Sequence, residues 1–425
     1  MKRKRYYICV TPFFPTPNSW RGAYVLDQVK AIQRNSEYEV VVFRPQSSKF
    51  VEKEYVIDGI TVHRFPIKAT PSYLFNGLYN SQNSNAFVKT IKLIYGKYTD
   101  EFLSNIVFVH CHTAPYGIYG LALKKLAPQI KVILQHHDLD PFIIRNGKFA
   151  RWSVNAKFRA RNSLKLINDA DLNVCISTPC KDNLMSFPKA RDNEVYQSYL
   201  NALKPLASLP KAQPKGIYIL YNGVDRRLFN SNANLNKHNL SDKTTQNEEE
   251  KLFRIGCIAN FNELKDHMTL IKAFEELHKK GYSDIVLSLL GTGETRQMCE
   301  DYLRKHSLMQ YIELPKEVTH DKLPDYYRSL DLFVLPSYFE GFGCVYTEAA
   351  ACGVPFMGVF DQGAAEYIAP EERVEWLIAP HDFEQLAKNI EKYYKQRKKQ
   401  LLCQPYDIDV LIMNYLEYLK KHESV

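Results

Sequence analysis

The sequence has no apolar run close to the length of a membrane-spanning helix. Such a helix needs roughly 18–20 consecutive apolar residues, and every apolar stretch among these 425 residues is shorter. The N-terminus is basic and then briefly apolar, as in a secretory signal, but Pro12, Pro15 and Pro17 interrupt the apolar stretch and no small-residue cleavage site follows. We therefore expect a cytoplasmic protein whose first apolar segment forms a buried strand.

The nine cysteines include no CxxC pair and no spacing suited to metal ligation. They lie in apolar segments, where a reduced cysteine behaves as a small hydrophobic residue, so we expect reduced thiols. No zinc-finger, RNP or arginine-rich pattern is present, which argues against nucleic-acid binding. The net charge of +9 would suit an anionic substrate or an anionic membrane surface, but it requires neither.

Short apolar runs alternate with longer segments of helical periodicity along the chain. This pattern is typical of α/β proteins with parallel sheets. A polar, Asn-rich stretch over 229–251 lacks apolar periodicity and predicts a linker. We expect one domain over 1–230, a second over 251–404, and a C-terminal helix over 405–425 that packs on the first. Two such domains would leave a cleft, where ligands bind outside the carboxyl ends of the strands.

A glycine-rich turn, EGFG, separates a predicted strand from a helix that starts at about Cys344. Gly341 and Gly343 would let the backbone approach a phosphate closely, and the helix N-terminus offers free N–H groups and a positive dipole end. Glu340 in the turn and Glu348 in the helix could accept hydrogen bonds from sugar or ribose hydroxyls. The residues alone predict a phosphate and hydroxyl site or, with equal weight, a helix start with incidental acids.

The Glu-x7-Glu pair of this segment resembles the signature of the retaining GT-B glycosyltransferases of family four. Further similarities follow in the family's order from about residue 8 to 395. PFFPTPNSWRGAYVLDQVKAI resembles the N-terminal glycine loop, VFVHCHTAPYG and LQHHDLD resemble two histidine sites, and ILYNGVDRRLF resembles the segment that closes the first domain. ANFNELKDHMTLIKAF is similar to the phosphate-binding stretch, and LSLLGTGET to the strand and turn after it.

This resemblance implies an α/β fold of GT-B type, with two Rossmann-like, doubly wound domains facing across a cleft. It implies transfer of a sugar from a nucleotide-diphosphate sugar to a saccharide or lipid-linked acceptor, with retention, in cell-surface polysaccharide biosynthesis. No cofactor and no metal are expected. Contact with an anionic membrane, on the inner face of the plasma membrane, would fit a lipid-linked acceptor.

The resemblance also implies roles for individual residues. Glu340 would contact hydroxyls of the transferred sugar, Glu348 would hold the ribose, and Lys265 would stabilise the departing diphosphate. The implied catalytic residues are His137, Lys265 and Glu340. The implied donor-binding residues are Gly22, Ala23, Asn260, Lys265, Glu340, Gly341, Phe342, Gly343, Thr347 and Glu348. His110, His112 and His136 are acceptor-side candidates, and the alternative for a histidine at a strand end is a structural role.

One position departs from the family pattern. Where the family usually has Gly-Arg, this chain has Ala259-Asn260, while Lys265 is kept. Both cations normally offset the diphosphate, so the loss of one weakens that stabilisation. The departure motivates an alternative, a non-catalytic homologue that binds a sugar nucleotide. The other alternative is a nucleotide-sugar epimerase of the same fold, which would act on the donor without an acceptor.

Two further patterns carry weaker hypotheses. Asp138 and Asp140 superficially match a metal-binding Asp-x-Asp pair, but they follow a histidine site in a two-domain pattern, so we expect no metal there. The segment RWSVNAKFRARNSLKLI, which begins at Arg151, interleaves aromatic and basic residues and could lie on an anionic membrane. KQRKKQ at 395–400 could add to that surface. The alternative is a surface helix with one buried face.

Overall fold

The computed structural model of this protein describes residues 4–17, 19–47, 52–69, 77–137, 144–145, 148–149, 154–185, 210–231, 252–315 and 318–423. The chain divides into two compact units. The first comprises Met1–Arg145, Phe149–Gly223 and Asp407–Val425, and the second comprises Asn146–Lys148 and Val224–Tyr406. The chain therefore passes from the first unit to the second at Gly223, ahead of the predicted domain limit at residue 230.

The first unit is built on an eight-stranded sheet. Its strands are β1 Arg5–Val10, β2 Tyr38–Gln46, β3 Glu54–Ile57, β4 Ile60–Pro66, β5 Ile106–His112, β6 Lys131–His136, β7 Leu172–Cys175 and β8 Ile217–Ile219. Their spatial order is β8-β7-β6-β5-β1-β2-β4-β3. Neighbouring strands are parallel except β3 and β4, which form an antiparallel hairpin. Short strands also lie at Ile144–Arg145 and Lys148–Phe149.

Helices of the first unit connect these strands. They are α1 Ala23–Asn35, α2 Asn80–Tyr95, α3 Thr99–Asn105, α4 Gly117–Leu126, α5 Val154–Asp169 and α6 Thr178–Met185. The strands β1, β5 and β6 lie in the middle of this sheet. Their sequences are apolar almost throughout because their side chains are buried on both faces of the sheet.

The C-terminal helix spans Ile408–Glu423, so its first turn starts later than the predicted residue 405. The Asp407 carboxylate accepts a hydrogen bond from the Asp409 N–H at 2.9 Å, an interaction typical of a helix N-cap. The buried side chains recur every three or four residues, as in Ile408, Ile412 and Tyr415. They pack on the core of the first unit.

The second unit has a six-stranded, parallel sheet. Its strands are β9 Phe253–Ile258, β10 Ile285–Leu290, β11 Ile312–Glu313, β12 Leu332–Val334, β13 Phe356–Val359 and β14 Leu377–Ile378, in the order β11-β10-β9-β12-β13-β14. Its helices are α7 His267–Lys279, α8 Arg296–Lys305, α9 Leu323–Arg328, α10 Cys344–Ala351, α11 Arg373–Trp376 and α12 Phe383–Gln396; the C-terminal helix of the first unit is α13.

The predicted linker over 229–251 begins too early. Phe229 is buried in the second unit, with its ring centroid 6.2 Å from that of Tyr327, so it is a core residue and not part of a solvated loop. Most of the remaining stretch lies outside the described residues. Seven of the nine cysteines are buried, and all nine are free thiols. Within the described part of the chain, no helix has the length and apolarity needed to cross a membrane.

Candidate functional site

The sheet of the second unit reverses its strand order between β9 and β12. The chain leaves β9 for β10 on one side, and it leaves β12 for β13 on the other. Two loops that diverge in this way open a crevice at the carboxyl edge of the sheet. They are tied together at their bases, because Ser337 Oγ and the Tyr338 N–H donate hydrogen bonds to the Leu264 carbonyl at 3.0 and 3.2 Å.

Lys265 and Glu340 meet at this crevice. Lys265 ends a 3₁₀ turn after β9, and its N–H donates to the Asn262 side chain at 3.3 Å. Its ammonium group contacts the Glu340 carboxylate, and both side chains are partly exposed. The Glu340 N–H donates to the Gln362 Oε1 at 2.8 Å, which anchors the turn to the loop after β13. Two residues far apart in sequence thus place opposite charges side by side where an anion and sugar hydroxyls could bind.

The glycine turn ends in a helix start without a side-chain cap. Gly343 has a φ of 82°, and a Cβ there would come within 2.6 Å of the Tyr346 ring. The Phe342 ring is buried and meets the Tyr367 ring edge-on at 5.5 Å, which anchors the turn to the second unit. The N-terminus of α10, which has no side-chain cap, is the place where the sequence predicts an anion site.

The same helix carries Thr347 and Glu348. The Thr347 side chain is buried, and its hydroxyl donates to the Cys344 carbonyl at 2.9 Å. The Glu348 Oε2 accepts a hydrogen bond from the Tyr327 hydroxyl at 2.7 Å. Desolvation raises the pKa of Glu348 to about 7, against the opposing effect of that hydrogen bond. Glu348 therefore titrates near neutral pH, and Tyr327 is a site residue that the sequence analysis missed.

Asn260, at the position of the missing cation, is exposed at the end of β9. A hydrogen-bonded pair, Asp266 and His381, lies at the start of the helix that follows Lys265. Asp266 has a φ of 48° and caps α7, since its carboxylate accepts the Thr269 N–H at 3.3 Å. His381 Nδ1 lies 2.6 Å from the same carboxylate, and this hydrogen bond raises the pKa of His381. Sequence reasoning missed His381, because no local pattern relates it to Asp266.

The first unit has a reversal point of its own, between β1 and β5. In the loop after β1, the backbone at Gly22 lies close to the backbone at Phe13. Gly22 has a φ of 93°, and a Cβ there would lie 2.5 Å from the Phe13 carbonyl group. Ala23 starts α1 directly after this glycine. The Phe13 and Tyr24 rings lie 6.3 and 5.2 Å from the ring of His137. The glycine loop and His137 therefore lie at one end of this sheet.

Three histidines form a stack at the carboxyl edge of the first sheet. The ring of His112 lies 4.8 Å from that of His110 and 5.1 Å from that of His137, with the planes nearly parallel. His112 Nδ1 and His137 Nε2 are 2.8 Å apart. Burial and the neighbouring histidines lower the pKa of His112 well below its ordinary value, and burial lowers that of His110 to about 3. Both imidazoles are neutral at pH 7.

His136 points to the opposite face of the sheet. It is fully buried, and its Nε2 lies 2.9 Å from the Asn173 side chain. Strand alternation explains the difference, because consecutive side chains face opposite sides. Of the two adjacent histidines, His137 is therefore the one next to the glycine loop.

The remaining sequence hypotheses have these outcomes. Asp138 and Asp140 lie outside the described residues, and among the residues that are described no group of three or more His, Cys, Asp or Glu side chains could hold a metal ion. In the basic segment, Phe158 is exposed while Leu164 is buried, so α5 has one face in the core and one in solvent. Trp152 lies outside the described residues.

Two family models match this chain. "Glycosyltransferase Family 4" matches residues 22–195, and "Glycosyl transferases group 1" matches residues 238–407. Among solved structures, HepE of Anabaena in complex with UDP and glucose superposes with a TM-score of 0.66, covering 98% of this chain and 100% of that one at 16% identity. The chain belongs to glycosyltransferase family four and has the GT-B fold, which confirms the predicted family and the predicted fold class.

Two curated relatives match over about a third of this chain. EpsF of Bacillus subtilis, named as a glycosyltransferase, is 30% identical over 139 residues, which are 33% of this chain and 35% of EpsF. The capsular polysaccharide biosynthesis glycosyltransferase CapM of Staphylococcus aureus is 29% identical over 143 residues, 33% of this chain and 36% of CapM. The matched region thus spans about a third of the length of each relative.

Proposed function

We propose that this protein transfers a sugar from a nucleotide-diphosphate sugar to a saccharide or lipid-linked acceptor, with retention of configuration and without a metal ion. The observation that carries the proposal is the meeting of Lys265 and Glu340 at the reversal point of the second sheet, beside the uncapped start of α10. A cation and the N-terminus of a helix suit a diphosphate, and a carboxylate suits sugar hydroxyls. HepE, which shares the fold, binds UDP and glucose.

The proposed residues match the charge changes of the reaction. When the bond from the sugar's anomeric carbon to the phosphate oxygen breaks, negative charge develops on the departing diphosphate. Lys265 and the N-terminus of α10 would stabilise that charge, the largest electrostatic demand of the step. Glu348 would hold the ribose hydroxyls, oriented by Tyr327. In the first unit, His137 would contact the donor sugar or the acceptor.

Cell-surface polysaccharide assembly is the proposed setting, because CapM and EpsF are similar to this chain. A lipid-linked acceptor would bring the protein to an anionic membrane on the cytoplasmic side. The exposed Phe158, on a helix with basic side chains, supports this contact. Sedimentation with vesicles of anionic and of neutral lipid tests it, and equal binding to both would argue against an electrostatic contact.

A thermal-shift screen over nucleotide-diphosphate sugars tests the donor, because a ligand that binds only the folded protein raises its melting temperature. Donors that stabilise the protein are then prepared with a radiolabelled sugar and incubated with the protein, with and without acceptor saccharides. Transfer supports the proposal, whereas a changed sugar without acceptor would indicate epimerisation. Stabilisation without turnover under any condition would favour a non-catalytic homologue, the alternative that Asn260 raises. No stabilisation by any donor would count against all three.

A further inference from the structure

Two arginines lie side by side on neighbouring strands of the first sheet. Arg44 on β2 and Arg64 on β4 are partners in the parallel register, and each comes two residues before the end of its strand. Successive side chains of a strand point to opposite faces, so partners on adjacent parallel strands share a face. The two guanidinium groups therefore project from one face of the sheet, close to its carboxyl edge.

The same face of the sheet carries His110 and His112. On β1, Cys9 is the partner of His110 on one side and of Val42 on the other. Two residues further along these strands, His112 and Arg44 therefore share that face at the same height, with the end of β1 between them. The arginine pair thus lies at the edge and on the face where the acceptor-side histidines lie.

Little in the protein neutralises these two cations. In the described part of the chain, the Arg44 side chain forms no hydrogen bond and no ion pair, and its Nε is buried. The Nε of Arg64 is also buried without a hydrogen-bond partner among those residues. Arg64 Nη1 donates to the Glu52 carbonyl at 3.3 Å and lies 4.0 Å from the carboxylate of the same residue, whose side chain is exposed.

This arrangement is unfavourable for the protein alone. Like charges directly opposite each other on neighbouring strands repel. A buried N–H group without an acceptor has lost its hydration without a hydrogen bond in return. A bound oxyanion would relieve both effects, because the N–H groups of a guanidinium match the oxygen atoms of a carboxylate or a phosphate.

Two tyrosines and a third arginine lie near the pair. The Arg64 guanidinium carbon is 4.7 Å from the centroid of the Tyr55 ring. Burial raises the pKa of Tyr55, and Arg44 and Arg64 oppose that increase. Burial also raises the pKa of Tyr116, in the turn after β5, and there Arg159 and Arg44 oppose it. Positive charge from β2, β4 and α5 is therefore present near this edge.

We propose that Arg44 and Arg64 form an anion site that binds an acidic group of the acceptor, a carboxylate or a phosphate. The anion site itself rests on the two adjacent guanidinium groups and their buried Nε atoms. Its assignment to the acceptor rests on the proposed function and on the position of the pair relative to the histidines. The donor's diphosphate is assigned to Lys265 and α10 of the second unit, so the two anions would occupy separate sites.

A thermal-shift measurement on the full chain tests the anion site without a transfer assay. The probes are glucose 6-phosphate, glucuronate and neutral glucose, at one ionic strength held with chloride, because salt alone screens surface charges. We expect one or both anions to raise the melting temperature more than glucose does, and the comparison between them distinguishes a phosphate from a carboxylate. Equal effects of all three probes would overturn the proposal.

Arg44→Met removes the charge and keeps an apolar side chain, so it should weaken binding of the stabilising anion about tenfold or more in calorimetry. Without the anion, this variant should melt no lower than the wild type, because the repulsion is relieved. Arg5→Met is the matched control, since Arg5 lies at the amino end of β1 and pairs with Glu37 at 2.7 Å. An equal loss of binding in both variants would contradict the site.

Lys265→Ala separates the two anion sites, because it should leave the effect of the anion intact. If Lys265→Ala loses that effect and Arg44→Met keeps it, the anion binds at the diphosphate site and the proposal is wrong. In the transfer assay with an acidic acceptor, Arg44→Met should raise the acceptor KM about tenfold while lowering kcat much less, whereas a general structural defect would also raise the donor KM.

The two proposals can fail separately. If the wild type transfers sugar to neutral saccharides and neither anion stabilises it, the proposed function stands and the anion site is wrong. If an anion binds through Arg44 but no sugar is transferred to any acceptor, the anion site stands, and the proposed function fails together with the assignment of that anion to the acceptor.

Discussion

The ammonium group of Lys265 contacts the carboxylate of Glu340, although the two residues are 75 positions apart in the sequence. The proposed cation for the diphosphate and the proposed carboxylate for the sugar thus neutralise each other. A nucleotide sugar would have to share or displace this ion pair. Since the pair is only partly exposed, its effect on donor binding should be measurable.

Glu340→Gln should strengthen the binding of UDP or GDP, nucleotides that lack the sugar. The change removes a negative charge beside the phosphates and frees Lys265, and a partly exposed ion pair is worth up to about 1 kcal/mol, or roughly fivefold in Kd. Calorimetry on both proteins measures this. The same variant should bind a nucleotide sugar less tightly, relative to the corresponding nucleoside diphosphate, than the wild type does. The reason is that the carboxylate proposed to accept hydrogen bonds from the sugar hydroxyls is gone.

Lys265→Ala should weaken UDP and GDP and lower turnover, because the diphosphate loses its cation. Lys272→Ala is the matched control, since that lysine lies on the following helix with its ammonium group over the Phe383 ring. If the two lysine variants bind nucleotides equally well, Lys265 is not the diphosphate ligand.

Glu348→Gln should change how stability depends on pH. Burial raises the pKa of Glu348 to about 7 in the folded protein, above its ordinary value near 4.5, so the folded state binds this proton more tightly than the unfolded state. Stability is therefore lost as the pH rises from about 4.5 to about 7, by roughly 1–3 kcal/mol. The glutamine variant lacks this loss. The melting temperature of the variant, relative to that of the wild type, should therefore be higher at pH 8 than at pH 5. Glu384→Gln, at an exposed position, should show no such difference.

His381→Asn should destabilise the second unit at low pH only. The hydrogen bond to Asp266 raises the pKa of His381, so the pair stabilises the fold fully below the ordinary histidine pKa near 6.5 and loses that contribution as the pH rises through the higher folded value. Asparagine tolerates the positive φ of 63° at this position. Thermal melts at pH 6 and pH 9 should show a lower midpoint for the variant at pH 6 alone. An equal decrease at both values would assign the effect to packing.

Sequence reasoning located those parts of the fold and site that local patterns encode. The short apolar runs predicted parallel sheets, and such runs form the strands on either side of both reversal points, but β3 pairs antiparallel with β4 across the Asp58-Gly59 turn. Both turn residues have positive φ, and Asp-Gly is a common two-residue hairpin turn, so the signal was present. The glycine turn and helix start at Cys344 were also local, and the structure places both as expected.

Long-range contacts were beyond that reasoning. Tyr327 hydrogen-bonds Glu348, and Gln362 hydrogen-bonds the backbone of Glu340, but nothing near either residue in the sequence indicates a partner. Such contacts follow from the strand order, which brings the loops after β9, β12 and β13 to one edge of the sheet. The choice between His136 and His137 also needed the structure, because alternation predicts opposite faces but not which face meets the glycine loop.

Gly343→Ala should impair both folding and nucleotide binding. A non-glycine residue at a left-handed φ costs roughly 1–2 kcal/mol, and the added Cβ would also lie 2.6 Å from the buried Tyr346 ring, so the turn must shift away from its present position. Gly281→Ala is the matched control, because its φ is 94° in the same unit but a Cβ there meets nothing within 4 Å. We expect both variants to melt at lower temperature, Gly343→Ala more so, and only Gly343→Ala to lose stabilisation by UDP or GDP. Full nucleotide stabilisation of Gly343→Ala would show that the turn before α10 does not bind the diphosphate.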